Sequence, residues 1–217
     1  MSVTLKEVAK EANVSPSTVS RVLSDSSQIS DRTKSAVREV IKKLKYKPNA
    51  IARSLVNKKS RILGVVIPGE AKDLLTNSFL MQAMKGMSRY AQSNKYYITY
   101  AFSEDEKAES EYISDFISSN LVDGVCLLSA RSEDKSIQYL KDVRFPFVVI
   151  GRPEESEGTL WVDNDNFQIP PLSSIDIKAA ELGYYAIKIL IDFLENNKIT
   201  VNDYIIDSKL IKRESFK

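Results

Sequence analysis

Histidine is absent from the 217-residue sequence, and cysteine occurs only once, at Cys126. Histidine is the commonest general base and metal ligand, so its absence excludes histidine-dependent triads and zinc sites of the usual kind. One cysteine cannot form an internal disulfide. The sequence contains no phosphate-binding loop and no nucleophile–base pair, and only carboxylate or lysine chemistry stays open. We therefore expect neither an enzyme nor a protein that requires a metal or another cofactor.

Long apolar segments are also missing. No stretch of the sequence reaches the roughly 20 apolar residues that are needed to cross a bilayer. Residues 1–12, MSVTLKEVAKEA, carry charges where a secretion signal would be apolar. Together with the single cysteine, these absences predict a cytoplasmic protein. The length allows one small and one medium domain, each with its own core.

Charge is divided unevenly along the chain, although the net charge is only +2. Residues 1–61 hold 14 Lys and Arg against 5 Asp and Glu, a net charge of +9, and the remaining 156 residues have a net charge of −7. A basic N-terminal block on an acidic body is typical of a nucleic-acid-binding head. The alternative is a basic surface that is only solvated.

Three short helices are predicted within the basic block. Thr4 and Glu7 have the spacing of a capping box, which starts the first helix. Ser15 caps a second helix, and Ser30 caps a third over residues 31–44. Asn13 suits a left-handed position in the turn between the first two helices. The apolar positions that recur at helical spacing are Leu5, Val8, Ala9, Ala12, Val19, Val22, Leu23, Ala36, Val37, Val40, Ile41 and Leu44.

Two short helices joined by a tight turn and braced by a third form a helix-turn-helix, whose second helix enters the major groove of DNA. In that geometry the exposed polar positions are Ser17, Thr18, Ser20 and Arg21. Arg21 can make a bidentate contact to guanine, and the hydroxyl groups can serve bases or phosphates. The alternative is a small three-helix bundle whose polar face is only wetted by solvent.

Residues 3–55 read VTLKEVAKEANVSPSTVSRVLSDSSQISDRTKSAVREVIKKLKYKPNAIARSL. This run resembles the lactose-repressor/galactose-repressor (LacI/GalR) family of bacterial transcription regulators. The resemblance implies that bases are read by Pro16, Ser17 and Arg21. The residues that it implies near backbone phosphates are Thr4, Ser15, Thr18, Ser20, Ser30, Thr33 and Tyr46.

Residues 48–60 match the family's hinge helix and linker, and Asn49 can cap such a short helix. The resemblance implies that Leu55 wedges into a minor-groove base step, as other apolar side chains do. It also implies that Ala52 lets two hinge helices approach closely, and it places Arg53 at the DNA. Without the resemblance, the same stretch is typical of a basic linker that only tethers two domains.

Beyond residue 61 the pattern changes to apolar runs that alternate with helical segments. Strands are predicted over residues 62–67, 96–102, 123–128 and 147–151, and helices over residues 78–93, 106–119 and 132–141. This alternation predicts an α/β fold with a parallel, doubly wound sheet. Ligands bind such sheets at the carboxyl ends of the strands.

The body is similar to the sensor domain of the same family, which is shaped like a periplasmic sugar-binding protein. The matching motifs are GVVIP (64–68), DG (123–124), PFVVIG (146–151) and VD (162–163). The effector-binding residues that the resemblance implies are Phe79, Ser103, Ser129, Trp161, Asp163 and Asn164, with the loop 69–79. The two aromatic rings can stack on a sugar, and the alternative for each is a place in the core. The combination of IGRPEE with WVDNDNF is most similar to regulators of maltose operons in Gram-positive bacteria.

Beyond Gln168 the resemblance jumps to a segment near the C-terminus of family members. Residues 169–176 and a predicted helix over residues 178–194 match that segment, and residues 210–215 match the final strand. On the order of a hundred residues, most of a second subdomain, are therefore missing between Gln168 and Ile169. A natural deletion, a truncated gene model and an omitted segment each explain the gap. A cleft with one wall buries a ligand poorly, so we expect weak or absent effector binding.

The predicted domains are a helix-turn-helix head (1–47), a hinge helix and linker (48–60) and a truncated sensor domain (61–217). The predicted function is sequence-specific regulation of transcription, as a repressor of a sugar-utilisation operon. The protein is expected to act as a homodimer on a pseudo-palindromic operator in double-stranded DNA. Two alternatives stay open: a soluble sugar-binding protein with an appended head, and a remnant that binds DNA without effector control.

Overall fold

Helices at the start of the chain begin where the sequence predicts their caps. The computed structural model describes residues 3–46, 59–69, 77–164, 175–176, 178–196, 203–206 and 209–210. These residues fall into two units, Met1–Lys58 and Lys59–Lys217. The described part of the first unit consists of α1 (Leu5–Glu11), α2 (Pro16–Leu23) and α3 (Asp31–Lys43).

Each of these helices follows a hydroxyl residue whose side-chain oxygen accepts a backbone N–H of the first turn. The three caps are Thr4, Ser15 and Ser30, and the Thr4–Glu7 capping box is closed in both directions. Asn13 has φ 51°, a left-handed value that Asn tolerates in the turn after α1. The three helices and their caps are thereby confirmed, although α3 ends one residue earlier than predicted.

Small apolar residues form the core of the helical unit. Those at most 3% exposed are Val8, Ala9, Val19, Val22 and Val37. Two residues that helical spacing assigns to the apolar face lie outside this core: Leu23 is 37% exposed, and Ala36 is exposed as well. Leu23 is the last residue of α2, so no further turn covers it. Ala36 is rotated by about 100° from Val37 around α3, which turns its methyl group away from the core.

The second unit is an α/β structure. Its elements are, in chain order, β1 (Ile62–Pro68), α4 (Ser78–Ser93), β2 (Tyr97–Ser103), α5 (Glu106–Ser118), β3 (Gly124–Leu127), α6 (Lys135–Asp142), β4 (Phe147–Ile150), β5 (Leu160–Asn164), β6 (Ile175–Asp176), α7 (Ala179–Asn196), β7 (Asp203–Ile206) and β8 (Lys209–Leu210). Six parallel strands form one sheet in the order β2-β1-β3-β4-β5-β7. The predicted parallel, doubly wound sheet is thereby confirmed, and β6 and β8 form a separate antiparallel pair.

Some element bounds differ from the predicted ones. The helix predicted over residues 132–141 begins only at Lys135, because the Asp134 carboxylate accepts the N–H groups of Ser136 and Ile137 and so caps it. Strands β5 and β7 were not predicted. Each carries only three consecutive apolar residues, Leu160–Val162 in β5 and Tyr204–Ile206 in β7, a run shorter than the four to eight residues that indicate a buried strand. Of the final strand predicted over residues 210–215, residues 211–215 lie outside the described residues.

Helices cover both faces of the six-stranded sheet. Alternate residues of a strand face opposite sides. In β1, Val65 therefore packs on the α4 and α7 side, and Val66 packs on the α5 and α6 side. Cys126 is fully buried in the first of these clusters. Burial raises the pKa of its thiol to about 12, so Cys126 stays protonated and serves as a small apolar side chain.

Two features are absent from the described ranges. Within them, no helix combines the length and the apolar character that a membrane crossing requires. The same ranges bring together no group of three or more His, Cys, Asp or Glu residues that could hold a metal ion.

Candidate nucleic-acid interface

Three hydroxyl groups cluster at the N-terminus of α2. The Ser15 Oγ accepts the Thr18 N–H at 3.1 Å and lies 2.8 Å from the Ser17 Oγ and 2.9 Å from the Thr18 Oγ1. The N-terminus of a helix carries partial positive charge from its free N–H groups and attracts anions. Hydroxyl groups held at this position can donate to a phosphate oxygen or to a base edge.

The exposed face of α2 contains Ser17 and Arg21, which are four residues apart and therefore neighbours on the helix surface. Pro16 is exposed beside them. Thr18 and Ser20 are half-buried, whereas the sequence predicts them to be exposed. For Thr18 the reason is the hydrogen bond that turns its hydroxyl towards the cap. Within the described part of the chain, Arg21 has no acidic partner, so its guanidinium is available for a ligand.

The remaining predicted phosphate contacts lie at the helix starts and after α3. The Thr4 N–H and hydroxyl both donate to the Glu7 carboxylate, at 2.6 and 3.0 Å. These hydrogen bonds hold the pKa of Glu7 below its ordinary value, the backbone N–H being the larger cause. The Ser30 Oγ accepts the Thr33 N–H at 3.3 Å. Tyr46 is half-buried against the helical core. The predicted hinge residues Asn49, Ala52, Arg53 and Leu55 lie outside the described residues.

Two of the five acidic residues of the helical unit, Glu11 and Asp25, form internal ion pairs. Asp25 is 3.1 Å from the Lys34 ammonium and 2.7 Å from the Arg38 guanidinium, and Glu11 is 2.7 Å from the Lys43 ammonium. The hydrogen bond from Lys34 lowers the pKa of Asp25, and the one from Lys43 lowers the pKa of Glu11. The exposed basic residues of this unit that have no acidic partner within the described ranges are Lys6, Lys10, Arg21, Arg32, Lys42 and Lys45. The unit therefore presents an excess of positive charge.

Four of the predicted effector residues lie at one edge of the sheet. Ser103 ends β2, Ser129 follows β3, and Asp163 and Asn164 end β5, so all four are at the carboxyl ends of parallel strands. Ser103 is only 2% exposed, and its hydroxyl donates to the Ile67 carbonyl at 3.3 Å. Its hydroxyl is therefore occupied within the sheet, whereas the other three residues are half-buried.

The two aromatic candidates are part of the packing. Trp161 is 5% exposed and lies in the cluster between the sheet and the α5 and α6 side. The Arg152 guanidinium covers its ring at 5.3 Å from the centroid. Phe79 is half-buried and packs against the cluster on the α4 and α7 side. The alternative interpretation, a place in the core, thus describes Trp161.

Two arrangements of charged residues were not predicted from the sequence. The buried Glu109 carboxylate is 2.9 Å from the Arg131 guanidinium near the carboxyl edge of the sheet. At the opposite edge, the Asp123 carboxylate binds the backbone where the second unit begins. Asp123 belongs to the Asp-Gly motif noted in the sequence, but the partners of its carboxylate are about 60 residues away in sequence.

The first unit is a helix-turn-helix head with a basic surface, and the second is an α/β unit with a doubly wound sheet. This combination is typical of transcription regulators in which a head is joined to a sensor domain. The family follows from the head: residues 4–49 match the family model of bacterial regulatory proteins, lacI family. The head of this chain is thus a helix-turn-helix domain of the lacI family.

Relatives and solved structures extend the similarity beyond the head. The chain is 41% identical over 168 residues to the HTH-type transcriptional regulator MalR of Streptococcus pneumoniae. The aligned residues cover 77% of this chain and 51% of that protein. The chain therefore spans about half the length of the curated relatives that it matches.

Among solved structures, the lac repressor dimer bound to operator and the anti-inducer ONPF has a TM-score of 0.67 at 15% identity, over 99% of both chains. The probable maltose operon transcriptional repressor malR of Staphylococcus aureus has a TM-score of 0.64 at 16% identity, over 72% of this chain and 98% of that chain. These two structures share the fold.

Proposed function

We propose that the protein is a sequence-specific DNA-binding regulator, which represses transcription as a homodimer on a pseudo-palindromic operator. The observation that carries the proposal is the exposed face of α2. There, an arginine without an acidic partner in the described ranges stands one turn from a serine, beside a helix N-terminus with three clustered hydroxyl groups. The lacI-family head and the positive charge of the helical unit support the same function.

In the proposed complex, α2 lies in the major groove with its N-terminus towards the bases. Ser17 and Arg21 face the base edges, and Pro16 packs beside them. The hydroxyl groups of Ser15 and Ser30, which already cap their helices, donate to phosphates on either side of the groove. Phosphate contacts set the register of the helix and base contacts set the sequence that it selects.

Arg21→Ala is expected to remove about 1–3 kcal/mol of discrimination at one base pair, because a bidentate arginine–guanine contact is worth that much. Arg21→Lys should lose most of it too, since an ammonium cannot reproduce the two-pronged geometry. The measurement is binding to a panel of single-base variants of an operator selected from random DNA.

The matched control is Arg89→Ala, which removes the same charge from an exposed position of the second unit. It should leave the discrimination profile as it is in the unchanged protein. A profile that is identical for Arg21→Ala and the unchanged protein would refute a base-reading role for Arg21.

The operon that the protein controls is proposed to serve the use of maltose or a related sugar. The 41% identity to the HTH-type transcriptional regulator MalR of Streptococcus pneumoniae supports this proposal. Control by the sugar itself is proposed to be weak or absent. The effector candidates of this chain come from one α/β unit, and binding sites normally enclose most of their ligand. In addition, the Ser103 hydroxyl is bonded to Ile67 and the Trp161 ring is buried.

Isothermal titration with maltose is expected to give no saturable heat below about 1 mM sugar. A dissociation constant of about 1 mM corresponds to only about 4 kcal/mol of binding free energy. Sucrose serves as the control for heats of dilution. Micromolar affinity for maltose would contradict the proposal and would show that one unit suffices for an effector site.

A further inference from the structure

The first residues of the second unit are fastened to a single carboxylate. The Asp123 Oδ1 accepts the Ser60 N–H at 2.6 Å and the Ser60 hydroxyl at 3.0 Å, while the Oδ2 accepts the Arg61 N–H at 2.8 Å. Two successive backbone N–H groups that converge on one anion form a nest. Both oxygens of Asp123 are therefore engaged by the two residues that precede β1.

Arg61 has φ 57°, in the left-handed region that non-glycine residues rarely adopt. Such a conformation persists only where surrounding contacts determine it. Here the contacts come from both neighbouring strands. The Tyr97 N–H donates to the Arg61 carbonyl at 2.8 Å, and the Asp123 N–H donates to the Ile62 carbonyl at 2.8 Å. The backbone at Arg61 is thus held from three directions.

A second group of contacts joins the same segment to the C-terminus of α7. The Lys59 ammonium donates to the Leu194 carbonyl at 3.0 Å, one of the helix-terminal carbonyls that have no partner within the helix. The Glu195 carboxylate lies 3.4 Å from the Arg61 guanidinium and 3.7 Å from the Lys59 ammonium. The Tyr96 hydroxyl donates to Glu195 at 2.7 Å, and this hydrogen bond lowers the pKa of Glu195. Glu195 therefore remains charged opposite the two cations.

These contacts occur at the point where the chain passes from one unit to the other, since Lys59 is the first residue of the second unit. Two heads that bind two half-sites depend on the effective concentration of the second head once the first has bound. That concentration falls as the segment between head and body lengthens. Fastening residues 59–61 to the second unit shortens the segment between head and body and fixes the point where that segment starts.

We propose that Asp123 is a positioning residue for DNA binding: its nest at Ser60 and Arg61 fixes the start of the segment that carries the head. The inference rests on the proposed function. Asp123 touches no DNA in this scheme and acts through the backbone of residues 60–61. Glu195 supports the same anchor from α7.

The test compares Asp123→Asn with the unchanged full chain on DNA that carries two half-sites and on DNA that carries one. An asparagine side chain offers one oxygen in place of two, so one N–H of the nest loses its partner. Affinity for two half-sites should fall about tenfold, while affinity for one half-site stays within about twofold, because only the linkage between heads is weakened. Fluorescence anisotropy of labelled DNA reports both affinities.

Asp134→Asn is the matched control. Asp134 also accepts backbone N–H groups with both oxygens, those of Ser136 and Ile137 at Oδ1 and that of Arg131 at Oδ2. Its replacement costs stability in the same unit without touching the anchor. Both DNA affinities should be unchanged in this variant. If Asp123→Asn unfolds, Glu195→Gln replaces it, since this variant leaves the nest intact and removes only the charge opposite Lys59 and Arg61. It should shift the ratio of the two affinities in the same direction.

Trypsin gives a readout that needs no DNA. Cleavage after Lys59 and Arg61 should be faster in Asp123→Asn than in Asp134→Asn or the unchanged chain, and equal rates would overturn the anchor itself. An unchanged ratio of the two DNA affinities, with a lowered melting temperature, would show that Asp123 only stabilises the sheet. An unchanged chain that prefers no DNA sequence would overturn the proposed function, and the positioning role with it.

Discussion

Gly183→Ala is expected to destabilise the α/β unit by at least 3 kcal/mol, although alanine is the better helix former by about 1 kcal/mol. The reason is the crossing of α4 and α7. A Cβ at Gly183 would lie 2.1 Å from the Ala83 carbonyl oxygen, and a Cβ at Gly86 would lie 1.9 Å from the Ala180 carbonyl oxygen. Both obstacles are backbone atoms, which cannot rotate away as a side chain can. The helices must separate by more than 1 Å before the new methyl group fits.

That separation affects a large part of the core. Helices α4 and α7 together cover one face of the sheet, where Met87, Leu182, Ala186 and Leu190 are at most 2% exposed. Overpacking a tight core ordinarily costs about 1–3 kcal/mol. Here the clash is with backbone on a whole helix pair, so the cost is expected at or above the top of that range. It is a large fraction of the roughly 5–15 kcal/mol that stabilises a typical domain.

Urea unfolding followed by circular dichroism measures the change, and Gly158→Ala is the control. A Cβ at Gly158 would meet nothing within 4 Å, but the residue has φ +69°. Backbone strain alone should therefore cost that variant about 1–2 kcal/mol. The sign of the change in unfolding free energy for Gly183→Ala shows whether helix propensity or the clash with the Ala83 carbonyl oxygen dominates. A gain in stability would mean that helix propensity outweighs the close approach of the helices.

Features of the head could be predicted because they depend on residues close in sequence. The Thr4–Glu7 capping box joins residues three apart, and Ser15 reaches a backbone N–H three residues ahead. The left-handed turn at Asn13 is likewise set by the residue type. Apolar spacing identified the core valines. It failed at Leu23 and Ala36, because spacing gives the direction of a side chain but not whether a neighbour covers it.

In the α/β unit, apolar runs predicted β1 to β4 but not the short buried strand β5, and the other unpredicted features depend on distant partners. The edge strand β7 pairs with β5 across about 40 residues, and its own apolar run is only three residues long. The need for glycine at Gly86 and Gly183 becomes visible only when α4 and α7 meet. The carboxylate of Asp123 finds its partners 62 and 63 residues earlier in the chain. Within one sequence, no local pattern marks such contacts.

Raising the salt concentration from 50 to 200 mM is expected to weaken operator binding about a thousandfold. Each phosphate that a cation neutralises releases condensed counterions and contributes about −0.9 to the slope of log affinity against log salt. Six exposed cations in the described part of each head have no acidic partner there. If half of them reach DNA, two heads neutralise roughly six phosphates, which gives a slope near −5. Fluorescence anisotropy at several salt concentrations measures the slope.

Paired variants at the start of α3 separate charged contacts from neutral ones. Arg32→Gln removes an exposed cation from each of the two heads and should make the slope shallower by about 2. Ser30→Ala removes a neutral hydroxyl and a helix cap, so it should lower affinity at every salt concentration and leave the slope unchanged. A slope near zero in the unchanged chain would contradict DNA binding through the phosphate backbone. Equal slopes for the two variants would place Arg32 away from the DNA while leaving the other basic residues as candidates.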